Sequence, residues 1–243
     1  MRQAWVSLDT CLVGSSGGVV DTGVGREART IENGSGRLVL RERRGVVELV
    51  SGNVVLLSSA ALDTERAFGR LAVGLPAAVP MRPRSILVGG LGFGMTARGV
   101  LDAVGPDARI LVVEKVGAVE RLVRSELAHI AGRPLDDERV TVHVGDVGDV
   151  LLTRAPGDLD AILLDVDNGP HWASFRSNGR LYTPSGLAAA ARALSPAGIL
   201  AVWSGYPADG FLASLRKAGL SPSVVPLLEG GRIRARAYVG VKR

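Results

Sequence analysis

Gly90, Gly92 and Gly94 stand directly after the apolar run Ile86-Leu87-Val88 and directly before Met95-Thr96-Ala97, which opens a stretch with helical spacing. A strand that turns through glycine into a helix presents backbone N–H groups at the helix N-terminus to a nucleotide-like ligand. Glycine suits such a turn because it adopts positive φ and carries no Cβ to hold a ligand off the backbone. Glu114 ends the next apolar run, about 20 residues on, where a carboxylate can accept hydrogen bonds from ribose hydroxyls.

The elements that must position these residues form an alternating series from Arg84 onward. Residues 86–88, 110–113, 140–144, 161–164 and 199–203 read as strands, and 96–104, 116–127, 147–152, 184–194 and 208–218 as helices. Short β-branched runs interleaved with amphipathic helices make a parallel sheet covered on both faces, so the fold class is α/β. Ligands of such sheets bind outside the carboxyl ends of the strands, which here carry Gly90 to Gly94, Glu114, Asp146 and Asp165. A last pair of strands, 224–228 and 234–241, is expected to be antiparallel around Gly230-Gly231.

Ahead of this series, residues 37–58 alternate with turn residues at Gly45 and Gly52-Asn53, which predicts a small antiparallel meander. Residues 14–36 are rich in Gly, Ser and Thr and are expected to be irregular. Residues 62–75 have helical spacing, and the three prolines between Pro76 and Pro83 suggest a boundary. The expected organisation is a small N-terminal β-domain with a connecting helix over 1–80, then a Rossmann-type domain over 81–243.

With 47% hydrophobic and 22% charged residues, the chain of 243 residues can bury a sizeable core. Its longest uncharged apolar runs fall short of the roughly 18 residues a membrane span needs, so no membrane partner is expected. Asp9 interrupts the N-terminus before any hydrophobic leader could form, which predicts a cytoplasmic protein. The single cysteine, Cys11, forbids an internal disulfide, and the three histidines lack paired-ligand spacing, so no metal is expected. The net charge of +5 arises in the tail, where seven of the 29 basic residues but one of the 24 acidic residues follow residue 215. Arg232, Arg234 and Arg236 alternate with small or apolar residues, reading as a charged sheet edge in preference to a nucleic-acid surface.

Residues 75–98, Val112-Val113-Glu114, Val140-Thr141-Val142-His143-Val144-Gly145-Asp146 and Asp160-Ala161-Ile162-Leu163-Leu164-Asp165 together resemble the spermidine synthase superfamily. The resemblance implies a class I methyltransferase-type Rossmann domain behind a small β-domain, and a homodimer. It implies that Gly90, Gly92 and Gly94 pass beneath the sulfonium of S-adenosylmethionine or decarboxylated S-adenosylmethionine. Glu114 would then accept from the ribose, Asp146 would take the adenine amine, and Val147 would pack on the ring. Asp165 matches the acidic residue that holds and deprotonates the attacking amine in polyamine synthases.

Other positions depart from that pattern. The aspartate that grips the donor's primary amine falls on Phe93, the Tyr-(His/Gln)-Glu run on Phe68-Gly69-Arg70, and the aspartate that anchors the diamine on Asn168. Each lost charge-assisted hydrogen bond to a cation costs about 1.5–3 kcal/mol. On these departures the expected activity is S-adenosylmethionine-dependent methyl transfer to a small or medium-sized acceptor, with Asp165 as the catalytic group. Aminopropyl transfer to an unusual acceptor, and a non-catalytic ligand-binding role, are the alternatives. Acceptor contacts are expected from Phe68, Asn168, His171 and Tyr182, with Trp172, Phe175 and Asn178 nearby on the same loop.

Overall fold

The computed structural model describes residues 28–33, 36–52, 54–75, 82–166, 169–170 and 178–243. They fall into two compact units, parted between Leu56 and Leu57.

β1 (Ala28–Asn33), β2 (Gly36–Arg43), β3 (Val46–Ser51) and β4 (Val54–Ser58) form one sheet in that order, β4 ending just past the boundary. The expected meander is present with a strand added at its start. β1 lies in a stretch expected to be irregular, yet Ala28 to Asn33 pair antiparallel with Arg41 to Gly36. Its own sequence has weak strand character; pairing with β2 is what makes it a strand. Arg44 and Gly45, with φ of 55° and 76°, make the tight turn between β2 and β3.

The second unit holds a seven-stranded sheet of β5 (Ser85–Gly89), β6 (Arg109–Glu114), β7 (Val140–Val144), β8 (Leu159–Leu164), β9 (Leu194–Ser204), β10 (Leu220–Glu229) and β11 (Arg232–Lys242). Their order is β10-β11-β9-β8-β5-β6-β7. Pairs from β7 through β5 to β9 are parallel, and β11 runs antiparallel to both β9 and β10. The chain reverses its direction of travel across the sheet at β5, which is flanked by β6 and β8. Its carboxyl end is therefore the place where a Rossmann-type sheet opens a crevice.

Among the described residues six α-helices accompany this sheet: α1 (Leu62–Gly69), α2 (Met95–Ala103), α3 (Gly117–Arg124), α4 (Val147–Thr153), α5 (Pro184–Ala193) and α6 (Phe211–Lys217). α1, read from the sequence as a connecting helix of the N-terminal part, groups with this second unit. Among the described residues no helix is long and apolar enough to cross a membrane.

One packed layer joins the sheet to α4, α5 and α6 through Leu87, Leu151, Ile162, Leu187, Leu200 and Phe211. Tyr238 sits in the same layer fully buried; its hydroxyl accepts from the Ala208 N–H and donates to Asp209 Oδ1. The arginine strand differs from its expected place. Arg236 to Val241 of β11 pair with β9 on one side and β10 on the other, so the edge of the sheet is β10. Arg232, Ile233 and Ala235 lie beyond β9 and pair with β10 alone, with Arg234 in the irregularity between them.

Candidate active site

The turn after β5 is held between its two neighbours. The Gly90 N–H donates to the Val113 carbonyl at 2.9 Å on the β6 side, and the Asp165 N–H donates to the Gly89 carbonyl at 2.8 Å on the β8 side. Gly90 has a φ of 89°, and a Cβ there would stand 2.1 Å from the Asp165 carbonyl oxygen. At Gly94, the residue preceding α2, a Cβ would meet Pro134 at 2.8 Å. Gly92 is different: among the described residues beyond its chain neighbours, the one atom within 4 Å of its Cβ position is Oε2 of Glu65, at 3.8 Å. The backbone is thus open above Gly92, as a cradle for a ligand requires.

Glu114 ends β6 with 8% of its surface exposed. Its Oε2 accepts from the Leu91 N–H at 2.9 Å and its Oε1 from the Val116 N–H at 2.7 Å. Burial raises its pKa above the ordinary value, and the backbone N–H donors of Leu91, Val116 and Lys115 oppose that rise. Three backbone donors leave about one of the four lone-pair sites of the carboxylate free, so Glu114 can fix the glycine turn and still accept from a ligand hydroxyl.

Asp146 caps α4, accepting from the Gly148 N–H at 2.8 Å. Lys115 Nζ lies 3.0 Å from its Oδ2, and an Arg180 nitrogen lies 2.7 Å from its Oδ1. Burial works to raise its pKa, but Arg180, Lys115 and the Gly148 N–H outweigh it and hold the carboxyl down to about 2. Val147, 4% exposed, packs toward the same turn; a Cβ at Gly89 would meet its Cγ2 at 3.0 Å.

Asp165 follows β8 and faces α2, where Thr96 Oγ1 donates to its Oδ2 at 2.6 Å. Burial raises the Asp165 carboxyl to about 6, against the lowering effect of that hydrogen bond. Glu65 on α1 comes to the same place. Burial pushes its pKa well above the ordinary value, and the charges of Asp165 and Glu229 push it further. Glu229 ends β10 and accepts from the Thr64 N–H at 3.2 Å. The three carboxyls are loosely grouped: among the described residues, no set of His, Cys, Asp or Glu could hold a metal ion.

The structure therefore brings Gly90, Gly92, Gly94, Glu114, Asp146, Val147 and Asp165 together at the carboxyl ends of four adjacent strands. Phe93, 1% exposed, and Phe68, 0% exposed, are packed inside the protein, so neither ring lies open to a ligand in this state. Tyr182 packs edge-on against Phe211 with ring centroids 5.8 Å apart. Asn178 is buried and donates to the Val166 carbonyl at 3.5 Å. Asn168, His171, Trp172 and Phe175 lie outside the described residues.

Sequence reasoning missed Glu65, Thr96, Arg180 and Glu229. Glu65 carried a readable signal: it stands three residues from both Leu62 and Phe68, a carboxylate on the helix's apolar face. A charge at such a position needs a partner or a task.

No family model matches the chain. Over 126 residues, 51% of its length, it is 37% identical to the polyamine aminopropyltransferases of two Mycobacterium tuberculosis strains, CDC 1551 / Oshkosh and H37Rv, and of Mycobacterium bovis. The match takes in 23% of the length of those relatives. Among solved structures, a probable spermidine synthase from Corynebacterium glutamicum covers 87% of this chain and 79% of its own, at TM-score 0.60 and 20% identity. A spermidine synthase in complex with the transition state analogue AdoDATO covers 88% and 71%, at 0.66 and 17%. The spermidine synthase from Thermotoga maritima covers 87% and 72%, at 0.64 and 16%.

These likenesses overturn the expectation of methyl transfer, since the sequence relatives are aminopropyltransferases and the fold is that of spermidine synthases. The physical premise behind that expectation also fails. It counted acidic groups lost at Phe93, Phe68-Gly69-Arg70 and Asn168, whereas Glu65 and Glu229 bring carboxylates to the site from elsewhere in the chain.

Proposed function

We propose that this chain is a member of the spermidine synthase superfamily and transfers an aminopropyl group from decarboxylated S-adenosylmethionine to an amine acceptor. The observation that carries the reading is Asp165, a buried carboxyl raised to about 6 at the switch point of the sheet, hydrogen-bonded to Thr96 and with its backbone against Gly90 of the glycine turn. A base with a pKa just below neutral is ionised at pH 7 and still a competent proton acceptor.

Glu114, the Gly90 to Gly94 turn, Asp146 and Val147 would hold the adenosine half of the donor. The donor supplies an activated carbon beside its sulfonium. Asp165 orients the amine nitrogen toward that carbon and receives a proton from it as the new C–N bond forms and the C–S bond breaks, leaving 5′-methylthioadenosine. Holding the two reactants in line accounts for much of the acceleration available to such a transfer. The carboxyl groups around the site favour cationic donor and acceptor ends over a donor that carries a carboxylate, which is the difference between decarboxylated and ordinary S-adenosylmethionine. The same reading takes a small-molecule amine as partner and a homodimer as the assembly.

Calorimetric titration with both donors, followed by mass spectrometry of an amine panel, tests it. Tighter binding of the decarboxylated donor, with a product heavier by one aminopropyl group, is the expected result. Preference for ordinary S-adenosylmethionine with no aminopropylated product would overturn the reading.

A further inference from the structure

Glu65 belongs to none of the motifs that carry the adenosine half of the site, yet its side chain approaches the one open position of the glycine turn. Oε2 of Glu65 stands 3.8 Å from the Cβ position of Gly92, and among the described residues beyond its chain neighbours no other atom comes within 4 Å of that point. Among the described residues its carboxylate accepts no hydrogen bond; Thr96 Oγ1 lies 3.3 Å from its main-chain carbonyl. Asp165 and Glu229 add negative charge around it, so neighbouring groups raise the need for a cation without supplying one. A buried carboxylate without a counter-charge is costly, and the cost falls when a ligand brings the counter-charge.

We infer that Glu65 is the residue that selects the donor by its arm, holding the primary ammonium of an aminopropyl group above Gly92 and repelling the carboxylate of an aminoacyl one. The inference rests on the aminopropyl reading and names the group that decides it. Glu65 is a specificity-determining residue here, and Asp165 keeps the proton transfer.

The test replaces Glu65 by Gln in the full chain and measures binding of two probes, decarboxylated S-adenosylmethionine and 5′-methylthioadenosine, the second of which shares the adenosine and sulfur but lacks the aminopropyl arm and its ammonium. Loss of one charge-assisted hydrogen bond should weaken the first about tenfold or more. The second should change by less than about twofold, since nothing it touches is altered. The melting temperature should hold or rise, because Glu65→Gln removes a charge that burial and two neighbouring carboxyls disfavour. Unchanged binding of the decarboxylated donor, or equal weakening of both probes, would overturn the assignment. Failure of the unaltered chain to bind either probe would instead overturn the transfer reading on which it stands.

Discussion

Gly69 of α1 lies with its backbone against Thr96 of α2: a Cβ built on Gly69 would stand 2.1 Å from the Thr96 carbonyl oxygen. The contact is reciprocated one turn away, where a Cβ on Gly99 would stand 2.1 Å from the Arg66 carbonyl. Two helices can approach this closely only where both lack side chains. The approach sets Glu65, one turn before Gly69, within reach of the Thr96 hydroxyl and of Asp165. Geometry between two glycines thus determines which carboxyls share the site.

Gly69→Ala and Gly99→Ala should each force α1 away from α2. Overpacking of this kind costs about 1–3 kcal/mol, and more where backbone must move. Chemical denaturation measures the loss. Donor affinity should fall in the same variants, because Glu65 moves with α1; a stability loss with unchanged donor affinity would separate the helix contact from the site.

Asp165 sets a pH dependence whose sign is fixed by its direction of shift. With the carboxyl raised to about 6 from an ordinary 3.8, it is protonated in mildly acidic solution and cannot accept a proton from the amine. Transfer rate should rise with a one-proton slope through about pH 6 and level off above it. Stability runs the other way. Between 3.8 and about 6 the folded chain keeps a proton that the unfolded chain releases, so this contribution is full below the window and is lost as pH rises through it. Asp165→Asn should abolish the acid limb of the rate profile along with most of the rate, while raising stability at pH 7.

Much of this arrangement is legible in the amino-acid order. The five parallel strands, the turn at Gly90 to Gly94 and the acidic strand ends at Glu114, Asp146 and Asp165 follow from local pattern, because each depends on residues adjacent in sequence. What is not legible depends on packing between distant segments. Glu65 and Glu229 are 164 positions apart and meet only because α1 lies near the end of β10. β1 reads as irregular for the same reason, its strand character being conferred by β2. Phe93 misled the assignment of activity because one position was weighed without knowledge of which other elements bring charge to the same place.

Asp146 and Asp137 govern the acid side of the stability curve. The Arg139 side chain donates to Asp137 at 2.9 and 2.7 Å and, against the effect of burial, holds it down to about 2. Asp146 is held to a similar value by Arg180, Lys115 and the Gly148 N–H. For both, the folded pKa lies below the ordinary 3.8, so their stabilisation is present above that value and is lost as pH falls toward about 2. Urea denaturation between pH 2 and 5 should show a steeper acid loss in the unaltered chain than in Asp146→Asn. The variant should already be less stable at pH 7, because it has lost two ion pairs and weakened a helix cap.

Gly90 and Gly92 should respond to alanine in opposite ways, and the contrast separates folding from binding. At Gly90 the new Cβ would press on the Asp165 carbonyl at 2.1 Å, between strands that hydrogen bonds already fix on both sides. Neither strand can yield without breaking the sheet at its centre, so Gly90→Ala should leave little folded protein by circular dichroism. At Gly92 the added methyl meets, among the described residues, open space apart from Glu65 Oε2 at 3.8 Å. Its cost to folding is the strain of alanine at a φ of 53°, about 1–2 kcal/mol. Gly92→Ala should therefore fold, with a modestly lowered melting temperature, while the methyl occupies the space the donor's sulfonium end would need. Binding of decarboxylated S-adenosylmethionine should fall below detection in a titration that the unaltered chain completes. A folded Gly92→Ala protein that still binds the donor would place the ligand elsewhere than above this turn.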